Sequence, residues 1–315
     1  MTRADVHVLL ISAQSAPNLL ATMDPGLKPA KAVLVVSGKM QARADAMEAV
    51  LREARVETER VTLEDEHDFA KIQSVFMDIA TGRNGKSVAL NVTGGTKLMA
   101  LAAHSIALED DWLVFYVDVD TDEVVWLGKD TKKHKLSEHL RLRHYLRGYG
   151  FEMQSAPRNP SLLPQREALI RTLIMQVGSL EVPLTQLNWL GQESEDGKTL
   201  QVRLNERQMD SRGLDTLLRH FSEAGVLEVS GSKLTFASEE DRGFAKGGWL
   251  EQYVFATVND VAGGLAIRDK AANLTVVDGE RVKNELDVAF MARNRLFVIE
   301  CKTARMDKPD SPKAN

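Results

Sequence analysis

The sequence predicts an α/β protein built from more than one domain. Two observations carry this. Short continuous apolar runs alternate with helical spacing over the first 150 residues, and a proline-rich polar stretch then breaks the pattern. Continuous apolar strands joined by helices argue for a parallel sheet covered on both faces.

The elements follow in order. Val6 to Ser12 is a short apolar run with the length of a buried strand, and a polar loop from Ala13 to Asn18 follows it. Ala32 to Val36 is a second buried strand, ending at Ser37-Gly38-Lys39. Ala42, Met47, Val50 and Leu51 lie near helical spacing and predict a helix from Gln41 to Ala54. Val56 to Leu63 is a third strand, and Phe69, Ile72, Val75, Phe76 and Ile79 put one apolar face on a helix from Asp68 to Ala80. Ser87 to Val92 is a fourth strand, and a helix from Leu98 to Leu108 follows the turn after it. Trp112 to Val119 is a further strand with Glu123 to Leu127 as its partner.

The chain has 315 residues, enough for two or three domains. Hydrophobic content of 43% and charged content of 27% are those of an ordinary globular protein. A net charge of -5 provides no overall attraction to nucleic acid, so any such contact needs a local basic patch. The single cysteine, Cys301, excludes an intrachain disulfide, fits a reducing cytoplasm, and is expected to pack as a small apolar residue. No apolar run has the length of a membrane span, and Met1 to Val6 lacks the shape of a signal peptide.

In a parallel sheet of this kind, ligands bind beyond the carboxyl ends of the strands. The loops there are Ser12 to Asn18, Ser37 to Lys39 and Thr93 to Lys97. The last is the most informative. Gly94 and Gly95 allow close backbone approach, the N–H groups of the next helix favour an anion, and Thr93, Thr96 and Lys97 add donors. Neither the Walker A nor the Gly-x-Gly-x-x-Gly spacing is present. The same residues also suit a plain strand-to-helix turn.

The first 150 residues, most specifically Asn91-Val92-Thr93-Gly94-Gly95-Thr96-Lys97-Leu98-Met99, resemble the CARF domain, the Rossmann-like sensor of CRISPR-linked effectors. The resemblance implies a homodimer that binds a cyclic oligoadenylate across its two-fold axis. The matching positions are Ser12, Gln14, Asn18, Ser37, Lys39, Thr93, Gly94, Gly95, Thr96 and Lys97.

Lys129 to Arg147 is rich in basic residues, but Leu136, Leu140, Leu142 and Tyr145 favour an amphipathic segment over a nucleic-acid contact. Ser155 to Ser161, with Pro157 and Pro160, is the clearest linker. The segment from 155 to 240 then reads as a helix from Pro164 to Val177, a short helix or turn from Pro183 to Leu190, a polar loop from Gly191 to Lys198, a helix from Asn205 to Glu223, and a hairpin around Ser230-Gly231-Ser232. Three helices and a hairpin resemble a winged helix. Its third helix mixes Glu206, Asp210, Asp215 and Glu223 with Arg207, Arg212 and Arg219, which favours a spacer or dimer-supporting role over DNA binding.

From 243 onward, a helix from Trp249 to Asn259 precedes two short strands, Leu265 to Arg268 and Leu274 to Val277. A hairpin follows. Its first strand alternates, with Leu286, Val288 and Phe290 on one face and Glu285, Asp287 and Ala289 on the other. Arg293-Asn294-Arg295 turns the chain, and Leu296 to Ile299 reads as a buried strand leading to Glu300 and Lys302 on one side. Asp287, Glu300 and Lys302 at one sheet edge suit metal-assisted phosphodiester cleavage, because carboxylate oxygens suit hard divalent cations. A surface hairpin with ion pairs has the same residues.

Asp287 followed by Glu300-Cys301-Lys302 resembles the PD-(D/E)xK motif of restriction-endonuclease-like α/β domains. That resemblance implies Asp287 and Glu300 as ligands of Mn²⁺ or Mg²⁺, Lys302 as the motif lysine, and Glu251 as a further ligand from the preceding helix. Glu251 is also an ordinary first-turn acid. The family's core continues with another helix and strand, whereas Asp307 to Lys313 forms neither, which implies an incomplete nuclease domain.

Together, a CARF sensor at 1–150, a winged-helix-like spacer at 155–240 and a PD-(D/E)xK domain at 243–315 are similar to the ancillary nucleases of type III CRISPR antiviral defence. The combination implies a cytoplasmic homodimer, activated by cyclic tetra-adenylate, that cleaves DNA or single-stranded RNA. The other reading is a ligand-sensing winged-helix regulator that binds DNA and lacks nuclease activity.

Overall fold

The computed structural model describes residues 3–83, 85–128, 132–137, 140–155 and 163–303. The first part of the chain forms β1 (Val6–Leu10), α1 (Ala16–Met23), β2 (Lys31–Ser37), α2 (Gln41–Glu53), β3 (Glu57–Leu63), α3 (Phe69–Thr81), β4 (Val88–Asn91), α4 (Lys97–Glu109), β5 (Leu113–Asp118), β6 (Glu123–Trp126) and β7 (Lys133–Lys135). The strands make one sheet in the order β3-β2-β1-β4-β5-β6-β7. β1 to β5 run parallel, and β6 and β7 add an antiparallel edge. Both faces are covered, as continuous apolar strands require. Leu9 and Leu34 pack with Leu19, Met47 and Leu51 under α1 and α2. Val8, Leu10 and Val33 pack with Ile72, Phe76, Met99 and Ile106 under α3 and α4. Fully burying each of these large side chains contributes about 1.5–3 kcal/mol. The architecture is the Rossmann-like α/β fold expected from the sequence.

The chain then forms α5 (Leu142–Gly148) and β8 (Glu152–Met153). Within the basic stretch, Leu136, Leu140, Leu142 and Leu146 are buried in the same core as α1 and α2, and Lys133, Lys135, Arg141 and Arg143 are exposed. Residues 129–131, 138 and 139 of that stretch, and 156–161 of the linker, lie outside the described residues.

The middle segment comprises α6 (Pro164–Met175), α7 (Val177–Asp196), β9 (Gln201–Arg203), α8 (Glu206–Met209), α9 (Arg212–Glu223), β10 (Leu227–Ser230) and β11 (Lys233–Phe236). Its sheet has the order β10-β11-β9. Two sequence expectations are corrected. The short helix and polar loop are one helix, α7, with Pro183 inside it. Leu180, Leu184, Leu187 and Leu190 bury one face of α7, and Gly213 of α9 leaves room for the proline ring; this packing overrides the helix-breaking tendency of proline. The helix expected from Asn205 to Glu223 is two. Asn205 and Gln208 form a capping box on α8, and Ser211 caps α9 through Leu214 N.

The last part forms α10 (Glu239–Gly243), a kink over Phe244–Gly248 where Gly247 leaves the helical conformation, α11 (Trp249–Val261), β12 (Ile267–Val277), β13 (Lys283–Ala292) and β14 (Arg295–Ile299). Its sheet runs β14-β13-β12-β8, so the outer strand comes from the segment that leaves the first sheet. The two short strands expected here are one, β12, continuous through Asn273. β14 is not buried as expected: it is an edge strand, with Phe297 43% and Val298 44% exposed. Residues 304–315 lie outside the described residues, including the Asp307 to Lys313 stretch.

This sheet docks on the first. Ala271, Leu274, Val276, Ala289 and Met291 join the core under α1 and α2. The β13–β14 turn, Arg293 and Asn294, has φ of 48° and 55°, the left-handed pair of a type I′ hairpin. Asn294 is buried there and donates to Asp122 Oδ1 at 3.2 Å, and Arg295 pairs with Asp120 at 2.9 Å. Asp269 Oδ2 accepts from Leu142 N at 2.7 Å. No helix among the described residues is long and apolar enough to cross a membrane.

Candidate functional site

Two groups of predicted residues fall at two places. The first is the crevice where the strand order reverses. β1 leads to β2 and β3 on one side and abuts β4 and β5 on the other, so the loops after β1 and β4 face each other at the switch point. Gly94 sits against β1 so closely that an added Cβ would lie 2.2 Å from Leu10 O, and Gly95 has φ +72°. These glycines are required by the turn itself. Thr93 Oγ1 donates to Asn91 Oδ1 at 2.6 Å and accepts from Val117 N at 2.7 Å. Thr96 caps α4 by accepting from Met99 N at 3.1 Å, and Lys97 is exposed on the first turn. The α4 N-terminus therefore faces the crevice with a lysine beside it, a suitable seat for an anion.

The other crevice residues divide into interior and surface. Asn18 is 1% exposed; it donates to Leu10 O at 3.1 Å and accepts from Asn91 Nδ2 at 2.9 Å. Its role in the structure is to fix the loop from inside. Ser37 is also buried, and it hydrogen-bonds Glu66, holding that carboxyl below its usual range. Lys39 is exposed and pairs with Glu66 at 3.3 Å. Ser12 donates to Gln14 O at 3.3 Å. Sequence reasoning missed Tyr149, whose hydroxyl accepts from Ala16 N at 3.4 Å and donates to Gln14 Oε1 at 3.3 Å. Its ring stacks on Tyr145 at 4.8 Å, with the Arg43 guanidinium 5.1 Å above it. A cavity of about 1000 Å³ opens beside this brace, between α2 and the β12–β13 turn, with Lys39, Arg43, Arg147, Arg281 and Lys283 on its walls.

The second place is the open end of the β13–β14 ladder. The last pair is Val288 with Ile299, and the next step brings Asp287 and Glu300 level. Asp287 Oδ2 accepts from Cys301 N at 2.6 Å. Lys302 Nζ lies 3.4 Å from Glu300 Oε1. Glu251, in the first turn of α11, accepts from Asn273 Nδ2 at 2.6 Å. Burial, with Asp287, Glu285 and Glu300 nearby, raises the Glu251 carboxyl above its usual range, despite the Asn273 hydrogen bond. Asp287 is raised by burial and by Glu300, against the opposing effect of the Cys301 N–H and Lys302. Burial and the same acids push the Cys301 thiol up to about 11, so it stays protonated. The residue expected to be a small apolar filler is half-buried, and its backbone anchors Asp287.

The expected alternation along β13 is interrupted. Val288 packs toward α11 with Phe255 and Val258, whereas Leu286 packs with the opposite core beside Ala289. Further on, Thr303 crosses Gly247, whose φ is +141° and whose added Cβ would lie 2.8 Å from Thr303 Oγ1. The Asn188 amide of α7 and the Thr303 hydroxyl share a 2.9 Å hydrogen bond. Thr303 is thus held between α7 and the start of α11.

The carboxylates are half-buried or exposed hard oxygen donors, and they repel one another as they stand. That donor chemistry fits a divalent cation such as Mg²⁺ or Mn²⁺. Among the described residues they do not yet converge as a closed cage of three.

Two family profiles match the sequence: the Card1 CARF domain over residues 6–145, and the Card1-like endonuclease domain over residues 238–313. Together they cover about two-thirds of the chain. Among solved structures, protein VC1899 from Vibrio cholerae shares 26% identity, covering 94% of this chain and 80% of its own, with a TM-score of 0.84. Can2 from Sulfobacillus thermosulfidooxidans, solved with cyclic tetra-adenylate, shares 25% identity over 96% of this chain and 81% of its own, with a TM-score of 0.81. A type III CRISPR defence DNA nuclease activated by cyclic oligoadenylate shares the fold at 18% identity, covering 95% of this chain and 40% of its own, with a TM-score of 0.56. No curated protein matches. The chain belongs to the Card1-like family of CARF-domain CRISPR nucleases, a Card1 CARF domain followed by a Card1-like endonuclease domain.

Proposed function

We propose that this protein is a nuclease of type III CRISPR antiviral defence, switched on by cyclic tetra-adenylate and dependent on Mn²⁺ or Mg²⁺. The sensor spans 1–150, the winged-helix-like spacer 155–240 and the nuclease domain 243–315. The carrying observation is the level placement of Asp287 and Glu300 at one sheet end, with Glu251 alongside on α11 and Lys302 3.4 Å from Glu300.

Glu251, Asp287 and Glu300 would hold the divalent cation, which when bound supplies Lewis-acid chemistry to the attacked phosphodiester. Cys301 N–H fixes one oxygen of Asp287, leaving the other to turn outward. Lys302 brings a positive charge to the same edge, where it orients the attacking water and steadies charge developing on the phosphate. Half-burial of Glu251 and Asp287 keeps those carboxylates from free hydration.

In the sensor, a ring of adenylates meets the α4 N-terminus, Thr96, Lys97 and the loop from Ser12 to Gln14. Asn18, Ser37 and Thr93 hold those loops from within. Lys39 reaches the ring on exchanging its Glu66 partner. A two-fold arrangement is supported by α4 and α7. Leu101 and Leu108, seven apart on α4, are 63% and 61% exposed, and Val182 and Trp189, seven apart on α7, are 60% and 53% exposed. Exposed apolar side chains that share one helix face suit a second copy. A route from ring to nuclease is supported by Tyr149, which touches the Gln14 loop and precedes β8, the outer strand of the nuclease sheet. Ring binding then shifts the population of arrangements of that sheet.

The test is cleavage of plasmid and single-stranded DNA or RNA, with and without cyclic tetra-adenylate, across Mg²⁺ and Mn²⁺. Ring- and metal-dependent cleavage, lost in Glu300→Ala, is expected. Cleavage that survives chelation, or that Glu300→Ala leaves intact, overturns the site assignment. Sequence-selective DNA binding in metal-free buffer without cleavage would establish the regulator reading instead.

A further inference from the structure

We propose that Asn273 is a positioning residue of the acidic site: its left-handed backbone turns the β12–β13 ladder so that Asp287 shares a side with Glu251, and its amide holds the Glu251 carboxylate. The proposal rests on reading Glu251, Asp287 and Glu300 as the cation-holding set.

Asn273 lies inside β12 with φ of 50°. The ladder pairs Ala272 with Val288 and Leu274 with Leu286, stepping over Asn273 and Asp287, which face each other across it. Side chains two apart in a strand normally share a face. Here they do not. Ala272 and Val288 belong to the core under α11, whereas Leu274 and Leu286 pack in the core shared with the first sheet. Both strands therefore change sides at this one level. That change is what sets Asp287 and Glu285 on the side of Glu251, close enough for their charges to act on it.

A left-handed residue in mid-strand needs glycine or one of the few side chains that tolerate it, asparagine foremost. Glycine would satisfy the backbone alone. Asparagine adds a donor, and that donor reaches back 22 residues to Glu251 Oε2 at 2.6 Å in a half-buried setting. A charge-assisted bond of this length fixes the carboxylate rotamer. A strained residue at a cluster of acids is where strain is expected to have a function. Asn273 would act through Glu251 and Asp287, without touching the substrate.

The test uses the full chain. Mn²⁺ binding is measured by calorimetry, melting is measured without metal, and cleavage is measured against Mn²⁺ and against substrate. Asn273→Gly keeps the left-handed backbone and loses the amide. It should melt near the wild-type temperature and bind Mn²⁺ roughly 10- to 100-fold more weakly, the range for partners that orient metal ligands. The Mn²⁺ level for half-maximal cleavage should rise by the same factor, with substrate KM unchanged. Asn273→Ala loses both features and should also melt lower. Wild-type Mn²⁺ affinity in Asn273→Gly, with Glu251→Gln and Asp287→Asn impaired, overturns this proposal alone. Unchanged affinity in all three overturns the reading beneath it as well.

Discussion

The backbone N–H of Cys301 donates to Asp287 Oδ2 at 2.6 Å, joining the two strands just past their last paired residues. An asparagine at 287 can keep accepting that bond through its amide oxygen, so the ladder end should stay closed while the charge is lost. Asp287→Asn should therefore fold normally and melt at or slightly above the wild-type temperature. Cleavage should fall by at least about 100-fold, more than is typical for loss of a group that only orients a ligand. Circular dichroism melting and a single-turnover cleavage assay measure the two sides.

Burial raises both the Glu251 and the Asp287 carboxyl, helped at Glu251 by Asp287, Glu285 and Glu300 and at Asp287 by Glu300, so the folded state binds protons more tightly than the unfolded state there. For a raised acid, folding is favoured below the unfolded pKa and loses that advantage as pH rises through the folded one. Glu251→Gln should melt above wild type at neutral pH, and the gap should close below about pH 4, where the unfolded glutamate is itself protonated. Saturating Mn²⁺ should stabilise wild type, by about 2.7 kcal/mol at a hundred times Kd, and Glu251→Gln much less. Melting curves across pH, with and without metal, provide the check.

Gly94 approaches Leu10 O as no other residue can. Gly94→Ala should cost about 1–3 kcal/mol, the usual range for overpacking. Because the displaced turn carries Thr96 and Lys97, affinity for cyclic tetra-adenylate should fall with it. Urea unfolding and calorimetry separate the two effects. Lys97→Glu should lower ring affinity without moving the unfolding midpoint.

Leu101 and Leu108 present apolar surface on one side of α4. Leu101→Glu should weaken self-association and leave the monomer's melting transition in place. Sedimentation velocity over a concentration series measures the shift.

The parts legible in the sequence were those whose signal is local. Thr93-Gly94-Gly95-Thr96 announces a tight strand-to-helix turn because glycine and an N-cap are needed there whatever surrounds them. Glu300-x-Lys302 announces a shared side, and the two charges do meet at 3.4 Å although β14 itself ends at Ile299. Other features depended on distant partners. Pro183 reads as the start of a short separate helix or turn until α9 brings Gly213 against it. Residues 269–273 read as a gap between two short strands, because nothing nearby in sequence shows that β13 pairs along the whole of β12. Leu286 fits the alternation of its neighbours, yet it packs in the core shared with the first sheet, beyond the level where the ladder changes sides opposite Asn273. Asn18 has the composition of a ligand contact, yet its amide is committed to Leu10 and Asn91 inside the fold. Tyr149 lies 135 residues from Gln14, beyond the reach of any pattern.

Glu152 and Met153 complete a sheet otherwise built from residues more than a hundred positions later. The two functional halves are therefore woven together, and cutting the chain between them leaves each with a raw border. A chimera that grafts this catalytic part onto another sensor would have to bring that short upstream strand along. Shuffling the module at the obvious linker would strand its edge without a neighbour.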